Sequence, residues 1–152
     1  MLVRTLNISE VTSALSSQIG QWPALHDAGL CVEVSEVVNE SAGRTPWLGI
    51  YPTGVAYEER TLGLGSGYRR QAVEITMIIQ ASDITSGQSC HETLAELVAE
   101  ATSAILSDAT LGGSVDNVGQ LRVAYDYAQT GDNAFLQSAI ISLTAERAVS
   151  VI

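Results

Sequence analysis

Cys90 and His91 stand side by side, a thiol and an imidazole that together could make a thiolate nucleophile and its base. That chemistry needs the ring to reach the sulfur. Consecutive residues at the start of a helix do not face one another. A helix N-terminus lowers a thiol pKa, but no third residue stands ready to orient the imidazole. The pair reads as structural, and no catalytic residue is assigned. His26 is isolated beside Asp27. Glu92, Glu96 and Glu100 recur at every fourth position, which places three carboxylates on one helix face. Paired carboxylates bind divalent cations or exchange protons. Like charges at this spacing cost about 0.2–0.5 kcal/mol per pair. Either open water or an arginine from a neighbouring subunit therefore stands opposite them. They are taken as a lumen or inter-subunit acidic face, with no metal site assigned.

Gly63-Leu64-Gly65-Ser66-Gly67 has the glycines of a phosphate loop. Phosphate binding needs those glycines to lead into a helix N-terminus, where amides and dipole face the anion. Here they lead into a strand pattern with no Lys-Ser/Thr after it, so the segment is expected to be a mobile loop. Glu58, Glu59 and Arg60 precede it, and Arg69 and Arg70 follow it. Two readings stand. Opposite charges at the roots of a hairpin pair across it for about 0.2–1 kcal/mol per pair, or these five residues set the register of a neighbouring subunit or partner.

The elements that must hold these groups follow from periodicity. Arg69–Ala81 carries Val73, Ile75, Met77 and Ile79 at alternate positions, a long strand with one apolar face. Asp83–Gln88 is a turn by composition. Ser89 and Glu92 match a capping box. Leu94, Leu97, Val98, Ala101, Ile105 and Leu106 then form the apolar stripe of a helix over Cys90–Ser107. An earlier helix opens at Asn7, with Glu10 at its third position and Leu6 and Val11 placed as a hydrophobic staple. Ile8, Val11, Leu15 and Ile19 form its stripe, and Gly20 ends it.

Gln21–Gly29 reads as a connector. Leu30–Val38 alternates until Glu36. Trp47–Tyr51, between Pro46 and Pro52, predicts a strand that is short or lies at a sheet edge. Val55–Gly67 predicts a hairpin or extended arm, placed at about residues 54–68. Val118–Ala128 puts Leu121, Val123, Tyr125 and Tyr127 on one face. Gln129–Asn133 is a turn, and Phe135–Arg147 is a last long strand. The order is α, β, β, a β arm, a long β, α and a closing hairpin. That gives one α+β domain over residues 1–152, with two helices packed on a mostly antiparallel or mixed sheet.

Composition narrows the function classes. Charged residues are 16% of the chain, against about 25% in typical globular proteins. The shortfall predicts surface hidden in an oligomer. The net charge is −10, and all seven basic residues are arginine. That field disfavours adhesion to nucleic acid or anionic membranes. It suits a pore through which DNA passes without sticking. Cys31 and Cys90 suggest neither a disulfide scaffold nor a zinc site. The start of the chain lacks the apolar core of a signal peptide, so a reducing cytosol with free thiols is expected.

Several stretches together resemble the tail terminator, or tail completion, proteins of long-tailed bacteriophages. They are P-W-L-G-I-Y-P at 46–52, the charged glycine-rich arm before R-R-Q-A-V-E-I-T-M-I-I-Q-A at 69–81, and the helix after S-G-Q-S at 86–89. D-A-T-L-G-G-S-V at 108–115 and the closing hairpin complete the match, which spans most of the chain from about Leu6. The resemblance implies a non-enzymatic virion protein without cofactors. Its α+β subunits close into a homo-oligomeric ring, commonly a hexamer, at the head-proximal end of the tail tube. There it ends tube polymerisation and offers a head–tail joining surface. Its partners would be the tail tube protein and a head–tail connector or neck protein, with no membrane involved. It would assemble in the host cytoplasm and reside in the virion tail. Other neck or head-completion proteins and tube-like tail proteins are similar. A small enzyme using Cys90 or the glutamate face is a rival of a different class.

Overall fold

A computed structural model describes residues 7–34, 45–59, 67–83, 85–126 and 135–151. The elements are α1 (Ile8–Gly20), α2 (Pro23–Asp27), β1 (Cys31–Val34), β2 (Trp47–Glu59), β3 (Gly67–Asp83), α3 (Gly87–Ser107), β4 (Asn117–Asp126) and β5 (Phe135–Val151). The strands form one sheet in the order β1-β2-β3-β5-β4. β1 runs parallel to β2, and every other pairing is antiparallel. The expected α+β fold with a mixed sheet is therefore what the chain adopts.

Alternation on β3 does what its pattern predicts. Val73, Ile75, Met77, Ile79 and Ala81 are buried, and Ala139, Ile141, Leu143 and Ala145 of β5 lie beside them in register. Leu48 and Ile50 of β2 extend the same face. α1 brings Val11, Leu15 and Ile19 to it, and α3 brings Cys90, Leu94, Leu97, Val98, Ala101, Ala104 and Ile105. Both helices thus cover one side of the sheet. Each large aliphatic side chain buried there stabilises the fold by about 1.5–3 kcal/mol.

Asn7 caps α1 as expected, its side chain accepting from the amides of Ser9 and Glu10. Leu6 lies outside the described residues, and so does the staple. The cap of α3 differs from expectation. Ser86, not Ser89, is the N-cap, and its hydroxyl accepts from the Ser89 amide at 3.0 Å. Glycine at the first helical position did not stop the helix from starting there, because Ser86 satisfies an amide one turn earlier than Ser89 could. Ser89 instead donates its hydroxyl to Asp83 at 2.6 Å. That bond and the Thr85 amide hold the Asp83 carboxyl below its ordinary range. Leu106, placed in the apolar stripe by spacing, is exposed. Its neighbour Ile105 takes the inward position.

α2 is a five-residue helix within the stretch that read as a connector. Pro23 at its first position suits a helix start. The Gln18 side-chain amide from α1 reaches the carbonyls of Ala104, Ile105 and Asp108 at 2.8–3.0 Å. It satisfies carbonyls that the end of α3 leaves without partners.

β2 is neither short nor an edge strand, which corrects the expectation drawn from Pro46 and Pro52. It has 13 residues and lies between β1 and β3. Proline is tolerated because β1 pairs only with Trp47–Ile50, so beyond Ile50 the β1 side of β2 has no described neighbour. Pro52 also opens a register shift that ends at Gly54, where a missing amide costs no ladder bond.

The arm read from Val55 onward is divided. Residues 55–59 belong to β2 and pair with β3, placing Glu58 opposite Arg70 and Glu59 opposite Arg69. Residues 60–66 lie outside the described residues, as do the end of the pattern at 35–38 and the turn at 129–133. β4 carries its own irregularity between Gly119 and Arg122, with Gln120 at φ 53°. A left-handed backbone at a residue with a Cβ costs about 1–2 kcal/mol.

Candidate functional site

The groups singled out by residue type separate into three places. Cys90 points into the core, and its Sγ donates to the Ala81 carbonyl at 3.3 Å. Burial pushes its thiol up from its ordinary range. His91, one residue on, turns to the Tyr125 ring on β4, with centroids 5.8 Å apart and planes at 60°. Thiol and imidazole therefore serve different contacts, as their adjacency on a helix implied. Among the described residues no group of three or more His, Cys, Asp or Glu could hold a metal ion. A thiol reagent at neutral pH should modify half-buried Cys31 first, and Cys90 only as the protein unfolds. Fast labelling of Cys90 in the native protein, read by intact mass, would revive the enzyme reading.

The three glutamates of α3 do lie away from the sheet, but they are not equivalent. Glu92 is exposed and accepts from the Gln88 side chain at 3.3 Å. Glu96 is exposed. Glu100 is half-buried and accepts from the Trp22 indole at 2.6 Å. Within its own chain, the partner of Glu100 is thus the Trp22 indole. Ala24 of α2 and Ala28, which caps its end, face Ala99 of α3 across a shallow groove of about 410 Å³, with Glu96 and Glu100 on its rim.

The hairpin roots are where sequence placed them, at the far end of β2 and β3. Arg70, opposite Glu58 in the register, makes an ion pair sideways with Glu146 of β5. Its side chain is 29% exposed, and that of Glu146 18%. Arg60 lies outside the described residues. Beside these roots, on the helix side of β2, Val55 and Tyr57 are 39% and 59% exposed. Tyr57 accepts from the buried Gln71 amide at 3.4 Å.

Two features escaped sequence reasoning. The first is a cluster on the sheet face away from the helices. Trp47 is fully buried, and its indole lies along Gly49 with the Tyr51 hydroxyl close on the same glycine. The alternation of β2 held the signal, since Leu48 and Ile50 point to the helices and odd positions must point away. The second is a polar depression on the same face. It has a volume of about 250 Å³ and is floored by Thr76, Ser142 and Thr144, with Glu74 to one side and Arg122 to the other. Only pairing brings these strands together, and pairing is not written in any one of them.

No protein-family model matches the chain. No curated protein matches it either.

Proposed function

We propose that the chain is a structural, non-catalytic tail protein of a long-tailed bacteriophage. It closes into a ring on the head-proximal end of the tail tube, ends tube polymerisation there, and presents a joining surface to the head–tail connector. Six subunits is the number implied by the resemblance to tail terminators. Its setting is the virion tail, with assembly in the host cytoplasm, and DNA passes the ring without adhering. Six copies, each at net charge −10, repel a polyanion.

One observation supports this reading most. The sheet outruns its helical layer. At about 3.3 Å per residue a 17-residue strand is about 56 Å long. At about 1.5 Å per residue the 21-residue α3 is about 31 Å long. The surplus strand carries Val55 and Tyr57 exposed beside the charged hairpin roots. Exposed apolar side chains rimmed by charge mark an interaction surface. Glu58, Glu59, Arg60, Arg69 and Arg70 are proposed to set the neighbour's register there. Glu92, Glu96 and Glu100 are proposed to face the lumen or the next subunit.

Native mass spectrometry of the concentrated protein tests the reading, with and without tail tube protein. A closed oligomer is expected. A strict monomer in both conditions would sink the proposal. Long tubes formed by the chain alone would identify a tube protein instead.

A further inference from the structure

The sheet face opposite the helices leaves Glu74, Arg122, Ala124 and Ile140 exposed and Ile78 half-exposed. Two irregularities meet on it. Gly54, Glu74, Thr144 and Gly119 are partners in one row across β2, β3, β5 and β4. Tyr51, Thr76, Ser142 and Arg122 form the adjoining row. Each outer strand inserts residues between the same two rows, around Thr53 in β2 and Gln120 in β4. The face is therefore hollowed at that level. Gln120 holds a left-handed backbone to do so, and such strain persists only where the surroundings impose it.

Glu74 and Arg122 stand on either side of β5, and among the described residues neither side chain has an ion-pair or hydrogen-bond partner. The Glu74 carboxylate leans towards Gly54, away from Arg122. Opposite charges held apart across a hydroxyl-lined floor are complementary to themselves. A two-fold axis lying between two such faces, along β5, sets Glu74 of each copy over Gly119 of the other, one row (about 6.6 Å) along the strand from Arg122 and within reach of its long side chain. The same axis sets Ile140 against its own copy and Ile78 against Ala124, which adjoin one row further on. Glu146, which also meets its own copy, is already neutralised by Arg70. Packed sheets sit about 10 Å apart with strands nearly aligned, a gap that glutamate and arginine span together. Four strands at about 4.8 Å and ten residues at about 3.3 Å give a face of roughly 600 Å². That is somewhat under the roughly 800 Å² per partner of a standard interface.

We infer that this face is an isologous docking surface for a second copy of the chain, giving a weak two-fold dimer held by reciprocal Glu74–Arg122 pairs. The contact is separate from the ring surface at Val55 and Tyr57 and does not depend on it.

Sedimentation velocity over a dilution series tests the pairing. Glu74→Arg alone, or Arg122→Glu alone, sets like charges against each other at both symmetric positions. Each should weaken dimerisation by about a hundredfold. An equimolar mixture of the two variants should dimerise again, because a mixed pair restores attraction at both positions. The milder Glu74→Gln and Arg122→Gln guard against misfolding. Each should weaken dimerisation by about tenfold, with no recovery on mixing. A wild-type protein with no dimer, single reversals that dimerise as wild type, or a mixture that stays monomeric would each overturn the inference. A variant at Val55 and Tyr57 should lose the ring and keep this dimer.

Discussion

Replacing Gly49 by alanine lowers the stability of the protein by about 2–3 kcal/mol, the cost of forcing a methyl group into a filled site. A Cβ built there would lie 2.5 Å from Cη2 and 3.0 Å from Cζ2 of Trp47, and 2.7 Å from the Tyr51 hydroxyl. Tyr51 is half-buried and its ring can swing. Trp47 is fully buried and cannot. The strand itself is also fixed, since Gly49 is paired with Glu33 on one side and Ile78 on the other. For a chain of this size the midpoint of thermal unfolding should fall by about 5–10 °C. Gly54→Ala is the contrast. Its Cβ would meet only the Glu74 carboxylate, at 3.3 Å, the end of a flexible exposed side chain. Its effect should stay within about 0.5 kcal/mol. Equal melting curves for Gly49→Ala and wild type would show that the Trp47–Gly49 contact is not a fixed part of the fold.

The double substitution Val55→Glu with Tyr57→Glu abolishes ring assembly and leaves the subunit folded. Both side chains are exposed, so little buried area is lost. Glutamate in a strand costs about 1 kcal/mol or less per site. Twelve added carboxylates in a six-membered ring would sit in the surface proposed to meet the neighbour. Burying an unpaired charge in an interface is far costlier than exposing it. The expected result is loss of the ring by native mass spectrometry, leaving only monomer and the weak two-fold dimer, with an unchanged far-ultraviolet circular dichroism spectrum. A ring of wild-type size would remove these residues from the interface. Deleting Leu62–Gly67 instead tests the segment between the two strands. Loss of the ring with the fold intact is the outcome the account expects.

Much of this architecture was legible because the patterns are long. The alternation at Val73, Ile75, Met77 and Ile79 runs over four positions with no competing period, and the structure buries all four. The Asn7 cap is local chemistry, readable without knowing the fold. Trp47–Tyr51 differs from its expectation because what a proline does to a strand depends on the neighbours of that strand. Only the pairing shows that β1 meets β2 at Trp47–Ile50 and that, among the described residues, none pairs with Pro52 on that side. The Ser89 cap failed because two serines three residues apart both fit the rule, and Asp83 claims one of them. Glu100 was placed on a wet acidic face, yet Trp22, 78 positions away, donates to it. Glu74 and Arg122 are outward residues of two separate strands, and neither strand's pattern links them. Their relation exists only through β5, which lies between them in the sheet and last in the chain.

The central claim is that this chain stops tube growth by capping a tube end. Purified tail tube protein should be allowed to polymerise while the chain is titrated in, and tube lengths measured from negative-stain images. The account predicts rings at one end of the tubes and tube length that falls or stops increasing as the chain is added. Tubes of unchanged length with no density at either end would contradict it.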